Sequence, residues 1–233
     1  EAGVQFAVHA RRIESEFNLA ERAAGSESQR EIFRLGTLSS IPTAWIARFA
    51  VEFGNGNDAG RIELVEGRER ELLEGLARGR IDAALTILRP DNGRFSGEAL
   101  LSEGYGLALA AHHPFAHDAS IEASALADNV MIVRRHCEVL SETSRHFTSH
   151  GVRPFFAART TSDDRALALV GAGVGVTVMP EGFSAEGVTR PKLAGFDFRR
   201  TIGILRAPAT RASETEARAL EALRTTIPAF QKA

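Results

Sequence analysis

Residues 165–180 read R-A-L-A-L-V-G-A-G-V-G-V-T-V-M-P, and no other stretch restricts the fold of this chain as strongly. Leu167 and Val170 lie one turn apart on a helix, and Gly171, Gly173 and Gly175 then free the backbone to reverse closely. Val174, Val176 and Val178 are β-branched residues suited to a buried strand, which Pro180 stops. The unit predicted is a helix, a tight turn and a strand, the arrangement of a helix packed on a sheet. Glycines at this spacing also invite a dinucleotide site, but the element order is wrong for one. A pyrophosphate loop follows a strand and opens a helix, because the anion needs the helix N-terminus. Here the glycines close a helix and open a strand, so no nucleotide cofactor is expected.

Strand and helix alternate through the rest of the chain. A strand at 32–38 leads to a helix with Ser40 as N-cap and Pro42 in its first turn. Ile41, Trp45, Phe49 and Phe53 follow at four-residue spacing, the pattern of a buried stripe. Strand 61–66, helix 69–78 and strand 81–87 complete two βα crossovers, which require parallel strands. After a turn-rich loop at 88–97, strands are predicted at 104–111, 129–133, 154–158, 175–179 and 201–206. Helices are predicted at 138–150, 163–172 and about 213–227. Ahead of all this, residues 3–24 form an amphipathic helix carrying Val4, Phe6, Val8, Ile13, Phe17 and Leu19, broken by Gly25 to Ser28.

A length of 233 residues suits one large domain or two subdomains. No apolar run reaches about 18 residues and no signal-like segment opens the chain, so neither a membrane span nor secretion is expected. One cysteine, Cys137, excludes an intrachain disulfide. A net charge of −2, with no basic face and no helix-turn-helix pattern, gives this chain no means of its own to bind DNA.

Five segments, in order along the chain, resemble the effector-binding domain of LysR-type transcriptional regulators. E-A-G-V-Q-F-A-V-H-A-R-R-I at 1–13 resembles the start of that family's linker helix. F-R-L-G-T-L-S-S-I-P at 33–42 resembles its first regulatory strand and turn, and E-L-L-E-G-L-A-R-G-R-I-D-A-A-L at 71–85 a helix, glycine and strand. A-A-H-H-P-F-A at 110–116 is similar to a common His-Pro turn, and 165–180 to the glycine-rich segment that ends in Leu-Pro. The resemblance implies an α/β fold of two Rossmann-like subdomains, the periplasmic-binding-protein type II fold, with crossover strands near 102 and 206. Residues 1–29 would be linker helix and linker, 30–102 and 207–233 subdomain I, and 103–206 subdomain II. It further implies a cytoplasmic homodimer or homotetramer in which helix 42–53 meets a second-subdomain helix of its partner. The chain is then expected to be a truncated regulator that reaches DNA only through a missing winged helix-turn-helix.

In open α/β sheets ligands bind at the carboxyl ends of strands, where helix N-termini offer free N–H groups. Ser39 and Ser40, Arg68, Thr86 and Ile87, and Thr161 and Ser162 occupy such positions, and in the resembled family these face the effector cleft. Ser40 and Ser162 are equally suited to plain N-capping, worth about 1 kcal/mol. Arg134 and Arg135 follow strand 129–133 at a helix start, a receptor for a carboxylate-bearing effector, with Arg134 expected inward. Cys137 completes the candidate effector set. His136-Cys137 resembles the reactive pair of the family's hydrogen-peroxide-sensing branch, and a helix start with nearby arginines would lower the thiol pKa. That branch has a second cysteine nine residues on, where this chain has His146. His112, His113 and His117 superficially suggest a metal, yet Pro114 and the turn account for them without one. No catalytic motif is present, so no enzyme is expected. A transporter's solute-binding protein of the same fold stays open as an alternative, as does redox sensing through Cys137.

Overall fold

The alternation I-F-R-L-G-T-L places strand β1 (Ile32–Leu38) at the centre of a parallel arrangement. It is flanked by β2 (Arg61–Gly67) on one side and β3 (Ala83–Ile87) on the other, both parallel to it. The structure, a computed structural model, describes residues 3, 5, 6, 9, 10, 13, 14, 16, 17, 32–55, 60–208 and 213–231. The chain divides into two units, Glu1–Leu101 with Thr201–Ala233 and Ser102–Arg200.

In the first unit, helices α1 (Thr43–Gly54) and α2 (Glu69–Ala77) make the two crossovers between the parallel strands. Trp45, Phe49 and Phe53 are the buried residues of α1, so the four-residue spacing marked the core face. Trp45 stacks on Phe230 with ring centroids 5.2 Å apart. Strand β11 (Arg199–Arg206) pairs antiparallel with β3, and helix α5 (Glu214–Thr226) packs on α1 and β1. The core contains Phe33, Leu35, Leu85, Ile204 and Leu223. The described residues of the N-terminal segment from Gly3 to Phe17 are helical, and Phe6, Ile13 and Phe17 on it are largely exposed. Val4, Val8, Leu19 and the break at Gly25 to Ser28 lie outside the described residues.

The second unit is built on the buried half of β4 (Ser96–Ala110), which pairs antiparallel with β8 (Thr177–Pro180) and β9 (Val188–Thr189). Strands β6 (Val130–Arg134) and β7 (Phe155–Thr160) form a parallel pair whose register shifts by one at Ala157 of β7, opposite Met131 and Ile132. A bridge from Met131 to Val176 connects that pair to the start of β8. Helices α3 (Leu140–Ser149) and α4 (Asp163–Gly171) accompany them. Short strands β5 (Ser120–Ile121) and β10 (Lys192–Leu193) pair with each other.

The glycine-rich turn forms for a specific reason. Gly173 sits at φ 76°, a left-handed conformation, and a Cβ on Gly175 would lie 2.6 Å from the carbonyl oxygen of Val130. Only glycine lets β8 start this close to β6. Val176 and Val178 are buried as expected, but Val174 is 40% exposed, because it belongs to the turn and not to the strand. Strand β4 is longer than the 104–111 predicted, since its first half lies partly exposed and carries no apolar run.

Arg190 is half-buried and, among the described residues, pairs with no carboxylate. Its guanidinium donates to the carbonyls of Leu107 (2.8 Å), Met179 and Pro180 (both 2.9 Å), and also to that of Phe183. Burial, reinforced by the charge of Arg134, lowers its pKa to about 10, still far above neutrality. Four backbone carbonyls thus converge on one cation. Arg190→Met should therefore cost at least about 3 kcal/mol, because carbonyls lose donors where water cannot replace them. Urea unfolding of the whole chain checks this; a loss below about 1 kcal/mol would contradict it.

Candidate functional site

The candidate residues of the first unit gather at the carboxyl ends of its parallel strands. Register pairs Leu38 with Gly67, and the Ser39 N–H donates to the Gly67 carbonyl at 3.0 Å, joining the two loops. Ser40 is buried, but it is not the N-cap of α1. The helix begins at Thr43 after Pro42, and no side chain caps it. Proline pushes its preceding residue out of the helical region, so the helix starts only beyond it. Ser40 lies instead in a turn closed by the Ile41 N–H on the Leu38 carbonyl at 2.8 Å. Arg68 caps α2, where its guanidinium reaches Glu71 at 2.8 and 3.2 Å and its own N–H takes the other carboxylate oxygen at 2.7 Å. Its cation is thus neutralised by its own helix. Thr86 and Ile87 are buried in β3, and the Thr86 hydroxyl has no hydrogen-bond partner among the described residues.

In the second unit the ends of β6 and β7 are joined by the Arg135 N–H on the Thr160 carbonyl at 2.7 Å. Thr161 is exposed. Ser162 caps α4, its hydroxyl accepting from the Arg165 N–H at 3.2 Å, as the sequence indicated.

Arg134 points inward, but toward the protein and not toward a ligand. Its side chain is 1% exposed and grips both carboxylate oxygens of Asp163, with Nε to Oδ1 at 2.7 Å. Nη1 donates to the Val178 carbonyl at 3.0 Å and lies 3.5 Å from the Cys137 sulfur. Burial alone would lower the pKa of this guanidinium; the hydrogen bonds and charge of Asp163 outweigh that and hold it above its ordinary value. The expected carboxylate receptor is therefore an internal strut. Asp163 was legible only as an acid in the first turn of a helix, and nothing in its spacing from Arg134 announced the pair.

Cys137 also departs from expectation. Helix α3 starts at Leu140, three residues beyond it, so no helix terminus acts on the thiol directly. Burial pushes the Cys137 pKa up, and the opposing charge of Arg134, already committed to Asp163, does not reverse this. A second buried network lies close by. Arg200 donates to Glu103 at 2.7 and 2.9 Å and to Glu138, and Glu103 takes the Gly182 N–H at 2.5 Å. Burial raises the Glu138 pKa, but Arg200 more than offsets it and holds that carboxyl below its usual range. Arg200, Glu103 and Glu138 were not anticipated, because 97 residues separate the first two. Among the histidines, His113 has a structural role: Nε2 lies 2.7 Å from Asn129 Oδ1, and Nδ1 accepts from the Phe115 N–H at 3.2 Å.

Comparison with known proteins identifies the family of the fold. Residues 26–228 match the LysR substrate binding domain family. The chain belongs to that family. It is 29% identical over 122 residues to the hydrogen peroxide-inducible genes activator of Haemophilus influenzae, covering 52% of this chain and 40% of that protein. A probable hydrogen peroxide-inducible genes activator of Mycobacterium avium is 26% identical over 212 residues, covering 87% of this chain and 68% of the relative. Among solved structures, the CcmR regulatory domain of Synechocystis PCC6803 in complex with 2-PG is similar at a TM-score of 0.68 and 16% identity. That likeness covers 83% of this chain and 95% of the other, and it shows the α/β fold of the periplasmic-binding-protein type II kind. Among the described residues, no helix is long and apolar enough to cross a membrane.

Two outcomes follow from this geometry. Asp163→Leu should destabilise the chain by about 3–5 kcal/mol in urea unfolding, since it strands a buried guanidinium, and Arg134→Met in the same chain should restore much of the loss. An Asp163→Leu cost below about 1 kcal/mol would mean that the pair is open to water. Iodoacetamide should alkylate Cys137 more slowly in the folded than in the urea-unfolded chain at pH 8, because the raised pKa keeps the thiol protonated. Equal rates would show an accessible thiolate.

Proposed function

We propose that this chain is the effector-sensing domain of a LysR-type transcriptional regulator, binding a small carboxylate-bearing metabolite. The observation that carries the reading is the family match across residues 26–228. The proposed contacts are Ser39, Ser40, Thr86 and Ile87 in the first unit and Thr161 and Ser162 in the second. The unpartnered Thr86 hydroxyl supports this choice, since a buried hydroxyl without a partner costs about 1–3 kcal/mol that a ligand acceptor could recover. With Arg68 and Arg134 already paired to carboxylates, the donors for the effector are hydroxyls and backbone N–H groups, which suit a single carboxylate. Binding shifts a conformational equilibrium, and that shift controls a DNA-binding domain in the regulator. Assembly as a homodimer or homotetramer is supported by the exposed Phe6, Ile13 and Phe17 on the N-terminal helical segment. The proposed location is the cytoplasm.

Peroxide sensing through Cys137 is the second reading, favoured by the names of the two relatives. Against it stand the lone cysteine and the burial that raises its pKa.

A panel of small carboxylates, screened by thermal shift and then calorimetry, tests the main reading. At least one compound should raise the melting temperature, and Ser39→Ala or Thr161→Val should each weaken it about tenfold. A panel without a binder, combined with a peroxide response that Cys137→Ser abolishes, would favour the second reading.

A further inference from the structure

Helix α3 lies over the β6–β7 pair with Leu140, Thr143, Ser144, Phe147 and Thr148 on one stripe, at spacings of three and four. A helix packed on a sheet normally fills such a stripe with large apolar side chains. Here three of the five positions carry short hydroxylated ones, and Phe147 alone is the buried residue of the helix. On the strands opposite, register pairs Met131 with Phe156 and Val133 with Arg159. The short side chains leave a half-open groove of about 360 Å³ between helix and strands, within the second unit, with Leu140, Ser144, Thr148, Phe156 and Arg159 exposed along it.

Its charge is one-sided. Three arginines line it, and no Asp or Glu does. Arg134 is neutralised by Asp163. The guanidinium groups of Arg135 and Arg159 have no ion pair or hydrogen bond among the described residues. Arg159 instead lies over the Phe156 ring, 5.7 Å from its centroid, an arrangement that fixes the guanidinium while leaving its donors available. Thr143 and Thr148 donate their hydroxyl protons to carbonyls of their own helix, so the walls compete little for an anion.

We propose that the groove beside α3 is a small-molecule site, distinct from the positions of Ser39, Ser40, Thr161 and Ser162, for a compact aromatic or branched aliphatic carboxylate. The apolar body lies against Met131, Phe147 and Phe156, and the carboxylate is held by Arg159 and Arg135. The volume stands at the small end of ligand pockets and suits a body on the order of ten non-hydrogen atoms. The assignment does not depend on whether Ser39 or Thr161 binds an effector.

Calorimetric titration of the whole chain with benzoate, and with benzyl alcohol as its uncharged counterpart, tests it. Benzoate should bind at least tenfold more tightly than the alcohol. Arg159→Gln, a surface change that leaves the helix intact, should cost about tenfold and remove that preference. Ser144→Leu fills the groove from a helical position and should abolish binding without lowering the melting temperature, while Thr161→Val should leave the benzoate titration unchanged. No benzoate binding, or binding that survives Ser144→Leu, overturns the assignment. Equal loss in Thr161→Val overturns it too, by moving benzoate to the effector positions. A drop in oligomeric mass on Ser144→Leu, read by light scattering, would show that a second copy covers the groove instead.

Discussion

The second unit depends first on the buried ion pair between Arg134 and Asp163. Arg134 ends β6, Asp163 begins α4, and the Val178 carbonyl belongs to β8, so one guanidinium fixes three elements that sequence leaves 44 residues apart at the extremes. Such a pair gains little net energy, because desolvating both charges offsets most of their attraction. What it supplies is direction: a bidentate grip on Asp163 admits one orientation of the helix start relative to the strand end. Arg190 extends the same device to the next two carbonyls of β8. The carbonyls of Val178, Met179 and Pro180 are therefore all held by two cations.

This commitment changes what the end of β6 can do chemically. An arginine already gripping a carboxylate has lost the vacancy that an anionic ligand needs, and exchanging Asp163 for a ligand would expose an unpaired buried aspartate. The neighbouring thiol is affected as well. Cys137 lies beside a cation whose charge is largely cancelled, so burial dominates and the thiolate is disfavoured. Thr161, just beyond the end of β7, carries no charge to neutralise and remains exposed.

Much of the fold was legible because its signals are local. The four-residue repeat of α1, the two crossovers and the glycine turn each rest on residues within one helix or one turn, where spacing alone decides the outcome. The orientation of Arg134 was not legible, because M-I-V-R-R has no polar alternation to show which side of β6 each residue takes. Whether Arg134 or Arg135 turns inward depends on pairing across the sheet, which the local sequence does not show. The Ser40 cap failed for a different reason. A serine two residues ahead of a proline satisfies the composition of an N-cap, but Pro42 moves the helix start past it. Strands β5, β9 and β10 have two residues each and give no periodicity to read.

The two units also differ in how their interiors are specified. Aromatic and aliphatic side chains fill the first, from Trp45 to Ile227, and such a core tolerates rearrangement as long as volume is kept. The second places Arg134, Asp163, Glu103 and Arg200 among smaller apolar clusters, where each polar atom requires a partner at a fixed position. Polar networks of this kind penalise intermediate arrangements, since a shifted carboxylate leaves its arginine unpaired in a dry site. A unit built so holds its strand ends in one geometry and concentrates its adaptable volume elsewhere. In this chain that volume lies under α3, the helix whose inner stripe the sequence leaves underfilled.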